Sequence, residues 1–164
     1  YTLSNNTLDK IESSNGNILT YYYDCTSCPA QINSLTANIS GNTINEINAT
    51  TGDSLAFDLN FKANNTTINI IDNNVNNIIA GNKTRAIAPF SSRTTPSNSL
   101  SLNIENNSLF SNNTSYAPNE NFFYIITADQ NIDSITTSTS GNTLPSGITF
   151  DTYDPKNGFG TITG

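Results

Sequence analysis

The residues best placed to carry chemistry in this sequence are asparagines that lie two positions before Ser or Thr. Each such tripeptide is an acceptor for an N-linked glycan, which implies an exported protein with a sugar-coated surface. The 29 asparagines would produce nearly as many acceptors by chance, so their positions carry more weight than their number. We expect glycans on this chain, first at acceptors in predicted turns and last at Asn38, which lies in a predicted strand. The nine candidate acceptors are Asn5, Asn38, Asn48, Asn64, Asn65, Asn82, Asn106, Asn112 and Asn113.

The two cysteines form a single Cys-x-x-Cys motif at Cys25 and Cys28. A zinc site needs about four ligands, and the sequence offers neither histidine nor a second cysteine pair to complete one. A redox-active motif normally opens a helix, whereas this one follows the strand-like segment 18–23. The motif therefore predicts a small structural disulfide that fixes a local turn.

Other catalytic and metal chemistry is poorly supported. Without histidine, neither a Ser-His-Asp nor a Cys-His arrangement can be built, and no acidic pair lies among aromatic sugar-binding residues. Asp151, Asp154 and Asn157, with Asp129 and Asp133 upstream, could offer oxygen ligands to calcium. Their spacing departs from the EF-hand loop, and we interpret them as turn formers. We expect no enzyme activity, no cofactor and no metal site. Six basic residues and a pI near 4.1 exclude nucleic acid as a partner.

The composition indicates a harsh exterior environment. Charged residues make up 12% of the chain, against about 25% in ordinary soluble domains, and only four are lysines. A surface of Asn, Ser and Thr has little to titrate and suits an acidic exterior. The longest apolar run, at 122–126, is far shorter than the ~20 residues of a membrane helix. We therefore predict a secreted protein at the cell surface, with no transmembrane segment.

Strand patterns dominate the chain, and helical periodicity is almost absent. The clearest strand, 55–62, places Leu55, Phe57, Leu59 and Phe61 on one face. Asn-Gly, Gly-Asn and similar turn formers separate the segments, and Asn64 and Asn65 fall at one predicted turn. This spacing predicts an all-β fold, an antiparallel Ig-like β-sandwich. Further strands are predicted at 18–23, 35–39, 66–71, 75–80, 84–88, 100–104, 122–127, 132–137, 147–151 and 159–163.

Two short similarities occur within the sequence. Ser40-Gly41-Asn42-Thr43 is repeated at 140–143, a match that we attribute to compositional bias rather than to duplication. The segment 144–151, LPSGITFD, followed by GTITG at 160–164, resembles the end of Ig-like modules in bacterial and archaeal surface proteins. That resemblance implies a sandwich whose last strand lies near 159–163.

The N-terminal residues suggest a means of assembly. Residues 1–12 form a strand-capable tail in front of a sandwich head at 13–164, which makes the tail a short N-terminal extension. Such a tail can add a strand to an open sheet of a neighbouring subunit, and repetition of that contact gives a filament. A frayed terminus, or a first strand that pairs within its own domain, is the alternative.

In overall character the chain resembles the thread-type filament subunits of thermoacidophilic archaea. The resemblance lies in the Thr/Asn/Ser-rich β head, the many glycan acceptors, the scarcity of charge and the short tail. It implies head-to-tail copies joined by donor-strand complementation, with Tyr1, Leu3 and Leu8 in the donor strand, and a role in adhesion or cell–cell contact. The alternatives are an Ig-like module of a larger adhesin or S-layer protein and, less favoured, a calcium- or sugar-binding lectin domain.

Overall fold

A computed structural model of the chain describes residues 1–16, 18–24, 32–60, 63–80, 84–90, 97–109, 123–126, 132–144 and 159–161. Fifteen strands lie within these ranges, numbered in chain order. They are β1 Thr2–Ser4, β2 Thr7–Ser13, β3 Ile18–Asp24, β4 Ile32–Ser40, β5 Thr43–Ala49, β6 Ser54–Asn60, β7 Ala63–Ile71, β8 Asn74–Val75, β9 Ile78–Ala80, β10 Thr84–Phe90, β11 Ser97–Glu105, β12 Ser108–Leu109, β13 Phe123–Ile126, β14 Ile132–Ser138 and β15 Phe159–Thr161.

The strands form three sheets, and the chain visits them in a fixed rotation. The first sheet has the order β1-β4-β7-β11-β14, the second β12-β8-β5-β2 with β9 also paired to β5, and the third β15-β13-β10-β6-β3. Among the described residues every pairing is parallel except that of β13 with β15. Successive passes through the first sheet bring Thr2, Asn38, Asn69, Asn103 and Ser138 into register.

This path defines a parallel β-solenoid, in which the chain passes through the sheets in turn and each coil stacks on the coil before it. Corresponding positions in successive coils are 36, 31, 34 and 35 residues apart. The predicted antiparallel Ig-like β-sandwich is therefore wrong. The strand pattern alone does not separate the two folds, because side chains alternate between faces in parallel and antiparallel strands alike.

The core consists of apolar residues stacked on their equivalents in the next coil. In the first sheet, Ile39 pairs with Ile70, which pairs with Ile104, and all three are fully buried. In the second sheet, Ile47 pairs with the equally buried Ile78. Branched side chains of one shape fill such columns without voids, and this accounts for the abundance of isoleucine.

Many predicted strand positions are confirmed, although the strands pair differently from the predicted sandwich. Segments 18–23, 35–39, 66–71, 84–88, 100–104 and 132–137 lie within strands. The pattern missed β5 entirely, and 147–151 lies outside the described residues. The supposed N-terminal extension is instead part of the first coil, since β1 pairs with β4 and β2 pairs with β5 of the same chain. On β6, Ser54 and Ala56 are fully buried although they lie on the face opposite to the predicted apolar one.

Candidate functional site: the asparagine ladder and the open edge of the first coil

The corner between the first and second sheets has the same backbone conformation in all five coils. Asn5, Gly41, Asp72, Asn106 and Gly141 all have positive φ, between 54° and 72°. Only glycine adopts this left-handed region freely, and Asn and Asp tolerate it better than other residues. The corner therefore selects three residue types, and each is followed directly by an asparagine.

Those following asparagines form what we call the corner ladder: Asn6, Asn42, Asn73, Asn107 and Asn142. Each backbone N–H donates to the Oδ1 atom of the next member, at distances of 3.1, 3.0, 3.0 and 2.9 Å in chain order. Each Nδ2 group donates to the same oxygen, at 3.0, 2.9, 3.0 and 3.0 Å. The three central members are each only 1% exposed.

The ladder has a direction because, in every bond between two of its asparagines, the donor lies in the N-terminal coil and the acceptor in the C-terminal coil. Each Nδ2 group after the first also donates backward to a backbone carbonyl of the preceding coil, as Asn73 does to Ile39 at 3.0 Å. Asparagine suits this position because its side chain carries an acceptor oxygen and two donor hydrogens. A column of identical residues can then satisfy itself, as buried polar groups must.

A second column, the outer ladder, lies on the solvent side of the first sheet. The Nδ2 group of Asn103 donates to Asn69 at 2.6 Å, and that of Asn69 donates to Asn38 at 2.7 Å. All three side chains are half-buried. Their donors point toward the N-terminal coil, opposite to those of the corner ladder.

Charged groups are stacked on the outer side of the second sheet. Lys10 contacts Glu12 at 2.8 Å and Glu46, one coil on, at 3.6 Å. The hydrogen bond to Glu12, together with the negative charge of both carboxylates, raises the pKa of Lys10 above its ordinary 10.5. Lys10 and Glu12 are exposed, so these ion pairs contribute little to stability.

The first coil presents an open edge, which we define by β1, β2 and the apolar residues Leu3, Leu8 and Ile11. Their register partners in the second coil, Ile39, Ile44 and Ile47, are completely buried. Leu3, Leu8 and Ile11 are only half-buried. Tyr1 next to them is 42% exposed. The residues predicted as a donor strand therefore lie where the stacked core meets solvent.

The glycan acceptors occupy several structural environments. Asn5 and Asn106 are exposed corner residues, whereas Asn38 belongs to the outer ladder. Asn48 is half-buried in β5. The predicted turn at 64–65 is wrong, since both residues lie inside β7.

The contacts of Asn64 and Asn65 are with neighbouring coils. The Nδ2 group of Asn64 donates to Asn33 Oδ1 at 3.3 Å, and Asn65 Oδ1 accepts from Ser99 Oγ at 2.9 Å. Asn82, Asn112 and Asn113 lie outside the described residues, as do both cysteines and four of the five candidate calcium ligands. The fifth, Asp133, lies in β14.

Within the described part of the chain, no cluster of three or more His, Cys, Asp or Glu residues could hold a metal ion. The same residues include no helix long and apolar enough to cross a membrane.

The chain is a parallel β-solenoid with one asparagine ladder at a corner and another on an outer face. Comparison with protein-family models, with curated proteins and with solved structures finds no match for this chain.

The sequence does contain a signal for the ladder. A residue that tolerates positive φ, then Asn, then Thr, Asn or Ser occurs at 5–7, 41–43, 72–74, 106–108 and 141–143. The repeat of Ser-Gly-Asn-Thr at 40–43 and 140–143, which we attributed to compositional bias, contains two of these tripeptides. They lie three coils apart. The repeat marks equivalent structural positions.

Proposed function

We propose that this chain is a structural unit of an extracellular, N-glycosylated surface filament, and that its function is to stack into a stiff rod. The observation that carries the proposal is the corner ladder, which runs through all five coils. A self-satisfying column of buried amides makes each coil a template for the next, and solenoids gain stability from such neighbouring contacts. The low charge and the exposed acceptors at Asn5 and Asn106 agree with a sugar-bearing exterior.

The proposal omits donor-strand complementation. That mechanism requires an incomplete sandwich with a groove, and the residues expected to leave as a donor strand pair with β4 and β5 of their own chain. Assembly by addition of whole coils fits the solenoid better, because the edge strands already have the extended backbone that another strand needs.

A second candidate is a rod segment within a larger surface protein. The open edge of the first coil supports it equally, since any parallel coil could cover that edge. In this case the stacking partner would be part of the same polypeptide, and the isolated chain would not polymerise.

Immunogold labelling of the native source tests the proposal. Antibodies against the folded chain should decorate fibrous material outside intact cells, and peptides containing Asn5 or Asn106 should carry glycan mass. Label confined to the cell interior, on unmodified chain, would contradict a surface role. Label on a cell-wall layer without fibres would favour the larger surface protein.

A further inference from the structure

We propose that the open edge of the first coil is an assembly surface for a second copy of this chain, which docks through its Asn142 corner and continues the corner ladder. This inference rests on the proposed structural function and identifies the surfaces by which the rod would grow.

Among the described residues, two hydrogen-bonding groups of the first coil have no partner at this edge. In the other coils, each ladder oxygen accepts two bonds from the preceding coil, as Asn73 Oδ1 does from Asn42 at 3.0 and 2.9 Å. Among the described residues, no donor contacts Asn6 Oδ1. The residue after each ladder asparagine likewise donates its N–H to the preceding coil, as Thr43 does to Asn6 O at 2.8 Å. Thr7 holds that position in the first coil, and the described residues include no coil before it.

The opposite end of the ladder has the complementary groups. The backbone N–H of Asn142 occupies the position from which Asn107 donates to the next Oδ1, at 2.9 Å. Within the described residues Asn142 has no following asparagine to bond. Its Nδ2 group donates to Ile104 O and Thr139 O, at 2.6 and 2.9 Å, so it keeps the contact that the central members make to the preceding coil but has none to a following asparagine among the described residues. Within the described residues, Asn6 Oδ1 thus has no donor and the Asn142 N–H has no acceptor.

The polarity of the ladder selects the partner and its orientation. If two first coils met face to face, Asn6 Oδ1 would approach another acceptor, and the strands would run antiparallel. If the second copy is placed head to tail, its Asn142 N–H and Nδ2 groups point at Asn6 Oδ1, and Thr7 N–H points at its Asn142 carbonyl. That arrangement preserves parallel pairing in the first sheet and at the corner, and it covers Leu3 and Leu8. A head-to-tail contact is heterologous, so it produces an open polymer.

Sedimentation velocity of the purified chain over a wide concentration range tests the contact. We expect species above monomer that increase with concentration and appear as rods by electron microscopy. The double variant Leu3→Asp, Leu8→Asp should lose all species above monomer, because it places charge on the surface to be buried. The control Thr2→Asp, Ser4→Asp adds the same charge at the exposed neighbours of Leu3 on β1 and should still assemble.

Two further measurements separate docking from folding and from other geometries. Thr7→Pro removes an N–H that has no partner within the described chain, and Thr7 is the first residue of β2, a strand position that tolerates proline. It should therefore block assembly while circular dichroism and the urea midpoint stay close to wild type. The double Asp variant keeps its Asn142 corner, so a small fraction of it should shorten wild-type polymers by capping them.

A wild-type chain that is monomeric at every concentration, or that stops at a dimer, would overturn the assembly surface. So would normal assembly of the double Asp variant, or a double Asp variant with no effect on wild-type polymers. None of these results bears on surface labelling, which tests the structural function separately.

Discussion

Replacement of Asn73 by alanine tests the corner ladder at its centre. Asn73 Oδ1 accepts from the N–H and Nδ2 of Asn42, and its own Nδ2 donates to Ile39 O, to Ile71 O and to Asn107 Oδ1. The alanine variant leaves the buried Asn42 N–H without its partner, which costs about 1–3 kcal/mol. Loss of two or three further bonds at about 1 kcal/mol each brings the total to about 3–6 kcal/mol. That is a large part of a typical 5–15 kcal/mol stability.

The matched control is the same change at Asn69, four residues earlier on β7. Asn69 also bonds both neighbouring coils, at 2.7 and 2.6 Å, but from the half-buried outer face. Water can replace those partners, so Asn69→Ala should cost about 1 kcal/mol or less. Urea unfolding followed by far-UV circular dichroism measures both changes. Equal losses for the two variants would refute the reasoning, and so would a loss below about 1 kcal/mol for Asn73→Ala.

The isosteric change Asn73→Asp adds a pH dependence to the same test. A carboxylate keeps the acceptor but cannot donate to Asn107 Oδ1, and burial disfavours its charge. The pKa of the introduced carboxyl should therefore be raised in the folded state above its unfolded value of about 3.9. The folded state then binds more protons than the unfolded state, so stability should fall as pH rises above about 4 and recover in acid. A variant whose stability increases with pH over that range would contradict the buried ladder.

Three further sets of substitutions test the coil geometry, and in each case the measurement is the melting temperature of the variant. Thr66→Val should raise it, by the equivalent of about 1 kcal/mol, because Thr66 Oγ1 is buried and has no hydrogen-bond partner among the described residues; a lower value would mean that the hydroxyl is satisfied. Gly41→Val should cost about 2 kcal/mol more than Gly41→Asn, because φ is 63° there and β-branched residues avoid that region; equal costs would contradict a left-handed corner. Ile47→Ala should cost about 2–5 kcal/mol, and Ile11→Ala distinctly less, because Ile47 is fully buried and its register partner Ile11 lies at the open edge.

The positions of many strands could be predicted from the sequence, but the way the strands pair could not. Alternating apolar residues at 66–71 and 100–104 indicate strands whichever way their neighbours run. The information on pairing lies in the corner tripeptides, which recur at intervals of 36, 31, 34 and 35 residues. Differences of up to five residues between coils conceal that period from any fixed-interval search. Of the predicted turns, Gly41-Asn42 and Gly141-Asn142 are corners between sheets.

The candidate site was missed for a different reason. The predicted donor residues Leu3 and Leu8 do lie at an edge that no other described strand covers. The ladder was overlooked because an Asn-Asn-Thr or Asn-Asn-Ser tripeptide is also a glycan acceptor. At 5–7 and 106–108 the same residues satisfy both patterns, and only the register of neighbouring coils separates a structural asparagine from a modified one.

The solenoid also gives a physical reason for asparagine in place of lysine. In parallel coils every outward residue stacks on its equivalent about 4.8 Å away, so a repeated charge would repel itself along the whole rod. Lysine can only donate hydrogen bonds and a carboxylate can only accept them, so neither makes an uninterrupted column. Asparagine does both without charge, and it does so at the buried corner and on the outer face. The scarcity of charged residues suits an acidic exterior. It therefore has a second physical reason, which is the stacking of one coil on the next.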